Sequence, residues 1–230
     1  MTRELELTGS SISAGAGDES MSVDLFSLTK NFPRTLELFR QIVLTPMLDA
    51  DKLEVEKKKV VASIQRRNDE PRQITGREFK RMIYGPNSPW GRRMEITTVQ
   101  GVTRRDLLEF HRRYFHPGSV MLAVSGAIGE ASLKATLEQA LGASVWPAGA
   151  ADLPAVDSDL PSTERLVYLV PKDNIQQSAV RIGHLGVERH HPEFFKLKML
   201  DEILGGGFAS RLFRNVRSRK GLAYSVGSGF

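Results

Sequence analysis

Between Ser10 and Leu28, small or polar residues alternate with apolar ones, and the pattern breaks at Gly17-Asp18. A period of two on either side of a turn signal predicts two strands, with Ile12, Val23, Leu25 and Leu28 turned towards a core. From Pro33 to Leu44 the period lengthens. Leu36, Leu38, Phe39, Ile42 and Val43 fall at helical spacing, with Pro33 opening the element and Pro46 closing it. A longer helix is predicted from Asp49, a good N-cap, to about Asp69, its apolar stripe formed by Leu53, Val60, Val61 and Ile64. Pro71 ends or restarts it, and Ile74, Phe79, Met82, Ile83 and Tyr84 mark a further helix before the turn-rich GPNSPWGRR.

Thr103, followed three residues later by Asp106, has the spacing of a capping box at the head of a helix that ends near His116-Pro117. Val120 to Ser125 is a short, continuously apolar run of the kind that forms a strand buried on both faces, and Glu130 to Leu141 reads as helix. Residues 147–163 hold three prolines and many small residues and form the one clear linker. Beyond it the pattern predicts strands at 165–170 and 178–185, and a helix from about Pro192 to Leu204. A triple glycine at 205–207 follows, then a helix from about Ser210 to Arg217 and a last strand, AYSVGS. The glycines follow a helix and lack the Lys-Ser/Thr of a P-loop, so they read as a helix-ending turn. Helices and strands mixed on both sides of a linker give an α+β fold in two units, each expected to be incomplete in this chain.

Composition narrows the function classes. The 230 residues are 40% apolar and 26% charged, as in ordinary globular proteins, and carry a net charge of +5. That excess is modest, and the basic residues share their helices with Glu and Asp, so nucleic-acid binding is not expected. The cluster Arg66, Arg67, Arg72, Arg77, Lys80 and Arg81 reads as an exposed helical face rather than an anion site. Cysteine is absent, which excludes disulfides, thiolate metal sites and cysteine nucleophiles. No apolar run approaches the roughly 18 residues needed to cross a bilayer. The sequence does not choose between cytoplasm and periplasm.

The stretch LDEILGGGFASRLFRNVRSRKGLAYSVGSGF at 200–230 closely resembles a signature of the insulinase, pitrilysin and mitochondrial processing peptidase family, the inverzincin zinc peptidases. GSSISAGAGDESMSVDLFSL, RRNDEPRQITGREFKRMIYGPNSPWGR, DLLEFHRRYFHPGSVMLAVSGAI and QQSAVRIGHLG agree with that family in order. The resemblance implies that residues 1–146 are the later part of a first domain and 164–230 the earlier part of a second. It also implies that Arg217 and Tyr224, seven positions apart, contact the backbone carbonyls of a bound peptide. Their chemistry suits such contacts, since an Arg offers fixed donors that do not deprotonate and a phenol adds another. Strand addition at a sheet edge is the expected complement.

The family's zinc motif, H-x-x-E-H, places two His ligands on one helical face with a Glu that activates the metal-bound water. None of the five histidines, His111, His116, His184, His190 and His191, has an acidic residue correctly placed between a pair, so surface or turn roles are expected for them. The family's third ligand is a Glu on a later helix; aligned by apolar positions, Asp69 and Pro71, that position falls on Ser63, a poor replacement for an anionic oxygen. Glu56 or Glu70 would serve only after a register shift of about seven residues, which would displace the apolar stripe. Zinc is therefore expected in the family or in a partner chain. The sequence points to a substrate-binding, non-catalytic half or partner of a zinc endopeptidase, inactive alone, whose partners are an unfolded polypeptide and a zinc-bearing subunit or a second copy. The alternatives are a piece of an active enzyme whose zinc motif precedes residue 1, and a peptide-binding scaffold without proteolysis.

Overall fold

Local chemistry sets several helix starts in the computed structural model, which describes residues 2–146, 148–153 and 166–230. The chain divides into two units, Met1–Ser162 with Val167–Val180 and Thr163–Leu166 with Arg181–Phe230. Residues 147 and 154–163 of the predicted linker lie outside the described residues.

The first unit opens with helix α1 (Thr2–Leu7) and an antiparallel hairpin of β1 (Ser11–Ala16) and β2 (Met21–Phe26). Ile12 stands opposite Leu25 and Ala14 opposite Val23, so the apolar residues of both strands share one face, as the period of two requires. Helix α2 (Phe32–Leu44) lies across that face. Its Leu36, Phe39 and Val43 form the buried cluster against which Ile12, Val23 and Leu25 pack. Leu28, expected in the core, is half exposed, because the chain has already left the strand for a 3₁₀ turn at Thr29–Asn31.

Asp49 caps α3 (Ala50–Arg66) by accepting a hydrogen bond from the Lys52 amide at 3.0 Å, and Pro71 occupies the first turn of α4 (Pro71–Tyr84), where its missing N–H costs nothing. After the short α5 (Ile96–Gly101), the Thr103–Asp106 capping box opens α6 (Arg104–Tyr114), with both reciprocal bonds present. Helix α7 (Glu130–Leu141) adds Leu137, Ala140 and Leu141 to the α2 cluster, and Trp146 joins them.

Half of the basic cluster is tied down within this unit. Arg67 donates to the Met94 carbonyl and pairs with Glu95, Arg77 donates to the Arg67 carbonyl and to Asn68, and Lys80 pairs with Asp18. Glu78 receives both Arg77 and Arg93.

In the second unit, α8 (Phe194–Leu204) ends where the amides of Gly205 and Gly206 reach back to Asp201 and Glu202. A Cβ on Gly205 would stand 2.3 Å from the Ser228 nitrogen, so the last residues of the chain pass directly over this helix end. At the opposite end of the same helix, Phe194 meets Phe230, with ring centres 5.6 Å apart.

One group of expectations is corrected. The apolar runs 120–125, 165–170 and 178–185 and the segment AYSVGS form no ladder among the described residues, whose one sheet is the β1–β2 hairpin. An apolar run becomes a strand only when a neighbouring strand accepts its backbone hydrogen bonds, and among the described residues none stands alongside these. Their side chains are correspondingly bare: Met121 is 94% exposed, Val167 97% and Ile182 94%. The chain is nonetheless α+β, with helices dominant and a small sheet.

Candidate functional site

Ser210 sets the helix that carries the candidate pair. Buried after the triple glycine, it accepts the Phe213 amide on its hydroxyl at 3.3 Å and the Arg214 amide on its carbonyl at 3.0 Å, which are the two bonds of an N-cap residue. The helix then widens into a π-helical turn, Phe213–Arg219. Wide turns of this kind recur where a helix must place a functional side chain.

The turn stops at Gly221, whose φ of +61° is a backbone conformation that a side chain would oppose. The Gly221 amide reaches the Arg217 carbonyl at 3.1 Å and the Leu222 amide reaches the Val216 carbonyl at 3.0 Å, which satisfies the helix end and reverses the chain. Tyr224 therefore returns beside the helix it has just left.

Arg217 and Tyr224 are brought together by this reversal: the guanidinium carbon lies 4.9 Å from the centre of the Tyr224 ring. The same carbon lies 4.6 Å from the centre of the Phe213 ring. Arg217 is half-buried and Tyr224 is 78% exposed. Among the described residues no carboxylate pairs with Arg217, so stacking rather than an ion pair holds its position. A guanidinium held by its faces keeps its N–H groups, which lie in its plane, available to an acceptor. The arrangement can therefore present Arg N–H donors and a phenol to the same acceptor-rich ligand.

Sequence reasoning did not single out Phe213. It stands four residues before Arg217, a spacing that on a helix puts two side chains on one face, and that spacing was the available signal.

Ser63 is exposed on α3, along a shallow groove that also includes Lys59, Arg66, Asp69, Glu70 and Gln73. Two carboxylates flanked by two cations do not make a zinc site. Among the described residues, no three His, Cys, Asp or Glu side chains gather to hold a metal ion. The zinc typical of the family therefore does not fit the donors present here. His111 stacks on Phe115 at 4.6 Å with Nε2 2.7 Å from the Val43 carbonyl oxygen, and Nδ1 of His191 accepts the Glu193 amide, so both serve local structure. No helix among the described residues is long and apolar enough to cross a membrane.

Known proteins resemble this chain over most of its length. The family model for the peptidase M16 inactive domain matches residues 101–230, and that for insulinase (peptidase family M16) matches residues 1–87. An uncharacterized zinc protease of Mycobacterium tuberculosis is 27% identical over 228 residues, covering 98% of this chain and 52% of the relative. The uncharacterized zinc protease YmxG of Bacillus subtilis is 28% identical over 195 residues, covering 83% and 45%. The chain thus spans about half the length of the curated relatives it matches.

Among solved structures, a peptidase M16 inactive domain from Pseudomonas fluorescens superposes with a TM-score of 0.80 at 24% identity, over 100% of this chain and 55% of that one. A protease from Helicobacter pylori gives 0.77 at 19% identity, over 99% and 55%. These likenesses establish the fold. With a family model covering more than half of its length, the chain belongs to peptidase family M16, the insulinase family.

Proposed function

We propose that this chain is the peptide-holding, non-catalytic part of a zinc endopeptidase, in which Arg217 and Tyr224 grip the main-chain carbonyls of an extended polypeptide while another chain or chain segment supplies the zinc. In this reading residues 1–146 are the later part of a first family domain, and residues 164–230 the earlier part of a second, which carries the grip. The observation that carries it is the 4.9 Å approach of the Arg217 guanidinium to an exposed Tyr224. A peptide carbonyl is a neutral acceptor with two lone pairs, and every residue of an extended chain offers one. Donors aimed at it therefore give affinity with little demand on side-chain sequence. The match of residues 101–230 to the inactive-domain family model supports a holding role for this half, and the absence of a zinc-competent donor set among the described residues supports placing the metal elsewhere.

The names of the relatives favour a second reading, in which the chain is part of an active zinc metalloendopeptidase whose H-x-x-E-H motif precedes residue 1. One experiment separates the two. The chain is mixed with a family member bearing H-x-x-E-H, and cleavage of a fluorogenic unstructured peptide is followed for each alone and for the mixture. Cleavage by the mixture alone, abolished by Arg217→Ala, is the result expected of the holding role. The same rate with and without this chain would overturn it.

A further inference from the structure

We propose that Phe213 is a positioning residue for Arg217, one end of an aromatic clamp that holds the guanidinium in the plane from which it meets a peptide carbonyl. This deepens the peptide-gripping reading and rests on it. Three contacts in one unit carry the argument. Phe208 and Phe213 meet edge to face, with ring centres 5.0 Å apart and planes at 88°, the arrangement that aromatic quadrupoles favour. Phe213 in turn lies 4.6 Å from the Arg217 guanidinium, which lies 4.9 Å from Tyr224. The side chains thus form a continuous series from Phe208 to the exposed phenol, in which Arg217 lies between Phe213 and Tyr224.

The physical need for such a clamp is conformational. An arginine side chain has many rotamers, and each must be given up when it engages a ligand. Without a carboxylate partner among the described residues, nothing charged holds Arg217 before the peptide arrives. A tyrosine that is itself 78% exposed is a mobile support. Phe213 differs: it is half-buried on the same helical turn as Arg217 and is tied through its own amide to the buried Ser210. Its ring is the fixed surface against which the guanidinium is set. An aliphatic side chain of similar bulk would fill the space without the negative ring face that attracts the cation.

Two readouts test this. The first is the NMR order of the Arg217 Nε–Hε group in the chain without peptide. The second is the affinity for a fluorescent unstructured peptide, measured by anisotropy. Phe213→Leu is expected to loosen Arg217 and weaken peptide binding by about twofold to fivefold, the range of one surface cation–π contact. Phe213→Trp is expected to preserve both, a rescue that a purely space-filling role would not predict. In the Arg217→Ala background, Phe213→Leu is expected to cause no further loss. The proposal is overturned if Arg217 is equally ordered in Phe213→Leu, or if the binding penalty persists after Arg217 has been removed. An Arg217→Ala chain that binds peptide as tightly as the parent, while Phe213→Leu still disorders Arg217, would overturn the peptide grip and leave Phe213 as the residue that orders this arginine.

Discussion

Tyr224 meets Arg217 through the face of its ring, with 4.9 Å between ring centre and guanidinium carbon, and its hydroxyl is left to other partners. The two parts of the side chain therefore separate under mutation. Tyr224→Phe keeps the ring and removes one donor, so peptide binding is expected to weaken by about 1 kcal/mol while the order of Arg217 is unchanged. Tyr224→Ala is expected to reduce both. Anisotropy titration and arginine side-chain relaxation measured on the same samples decide it.

Arg217→Lys keeps the charge and discards the planar fork. A point-charge ammonium stacks less well on Phe213 and cannot offer two parallel N–H groups to one ligand, so the substitution is expected to behave nearly as Arg217→Ala does in peptide binding. Lys binding within about twofold of Arg would show that charge alone suffices.

The capping box of α6 gives a stability prediction independent of function. Thr103 accepts the Asp106 amide, and Asp106 accepts both the amide and the hydroxyl of Thr103. Thr103→Ala or Asp106→Ala is expected to destabilise the chain by about 1 kcal/mol, as N-cap losses do. The double variant should cost less than the sum, because each removes the other's partner. Urea unfolding followed by far-ultraviolet circular dichroism measures all three.

Glu37 provides a pH signature. Hydrogen bonds from Arg40, and then from Gln41, hold its carboxyl far below the ordinary range, from 4.5 down to about 2. Because the folded chain binds this proton less readily than the unfolded one, the contribution is present in full above about pH 4.5 and is lost as pH falls towards 2. The group is solvent-exposed, so screening keeps the effect on stability small. The titration itself is the readout: a Glu37 carboxyl midpoint near 2 by carbon-detected NMR, returning towards the ordinary value in Arg40→Ala.

What the sequence made legible was local. Asp49, Pro71 and the Thr103–Asp106 pair act within one helical turn, so spacing alone located them. Ile12, Val23 and Leu25 declared their shared face through a period of two. Val120–Ser125 carried an equally plain apolar signal, yet it runs unpaired among the described residues, because strand formation depends on a neighbour that a run of side chains does not specify. The carbonyl contacts of Arg67 and Arg77 with Met94 and Arg67 were hidden for a related reason: a basic cluster reads the same whether it faces water or folds back on its own loops. At the candidate site the resemblance supplied Arg217 and Tyr224, whereas Phe213 looked like any apolar residue on a helix until its ring was seen beside the cation.

The bare side chains of Met121, Val167 and Ile182 bear on how this polypeptide behaves in a tube or a cell. Oily residues on unpaired, extended backbone are adhesive both through their side chains and through open amide and carbonyl groups. Expressed by itself, the chain is expected to light up hydrophobic dyes, to ride with holdase chaperones and to coagulate as its concentration rises. A charged substitution at Met121 should quieten that stickiness, leaving the clasp around Arg217 intact.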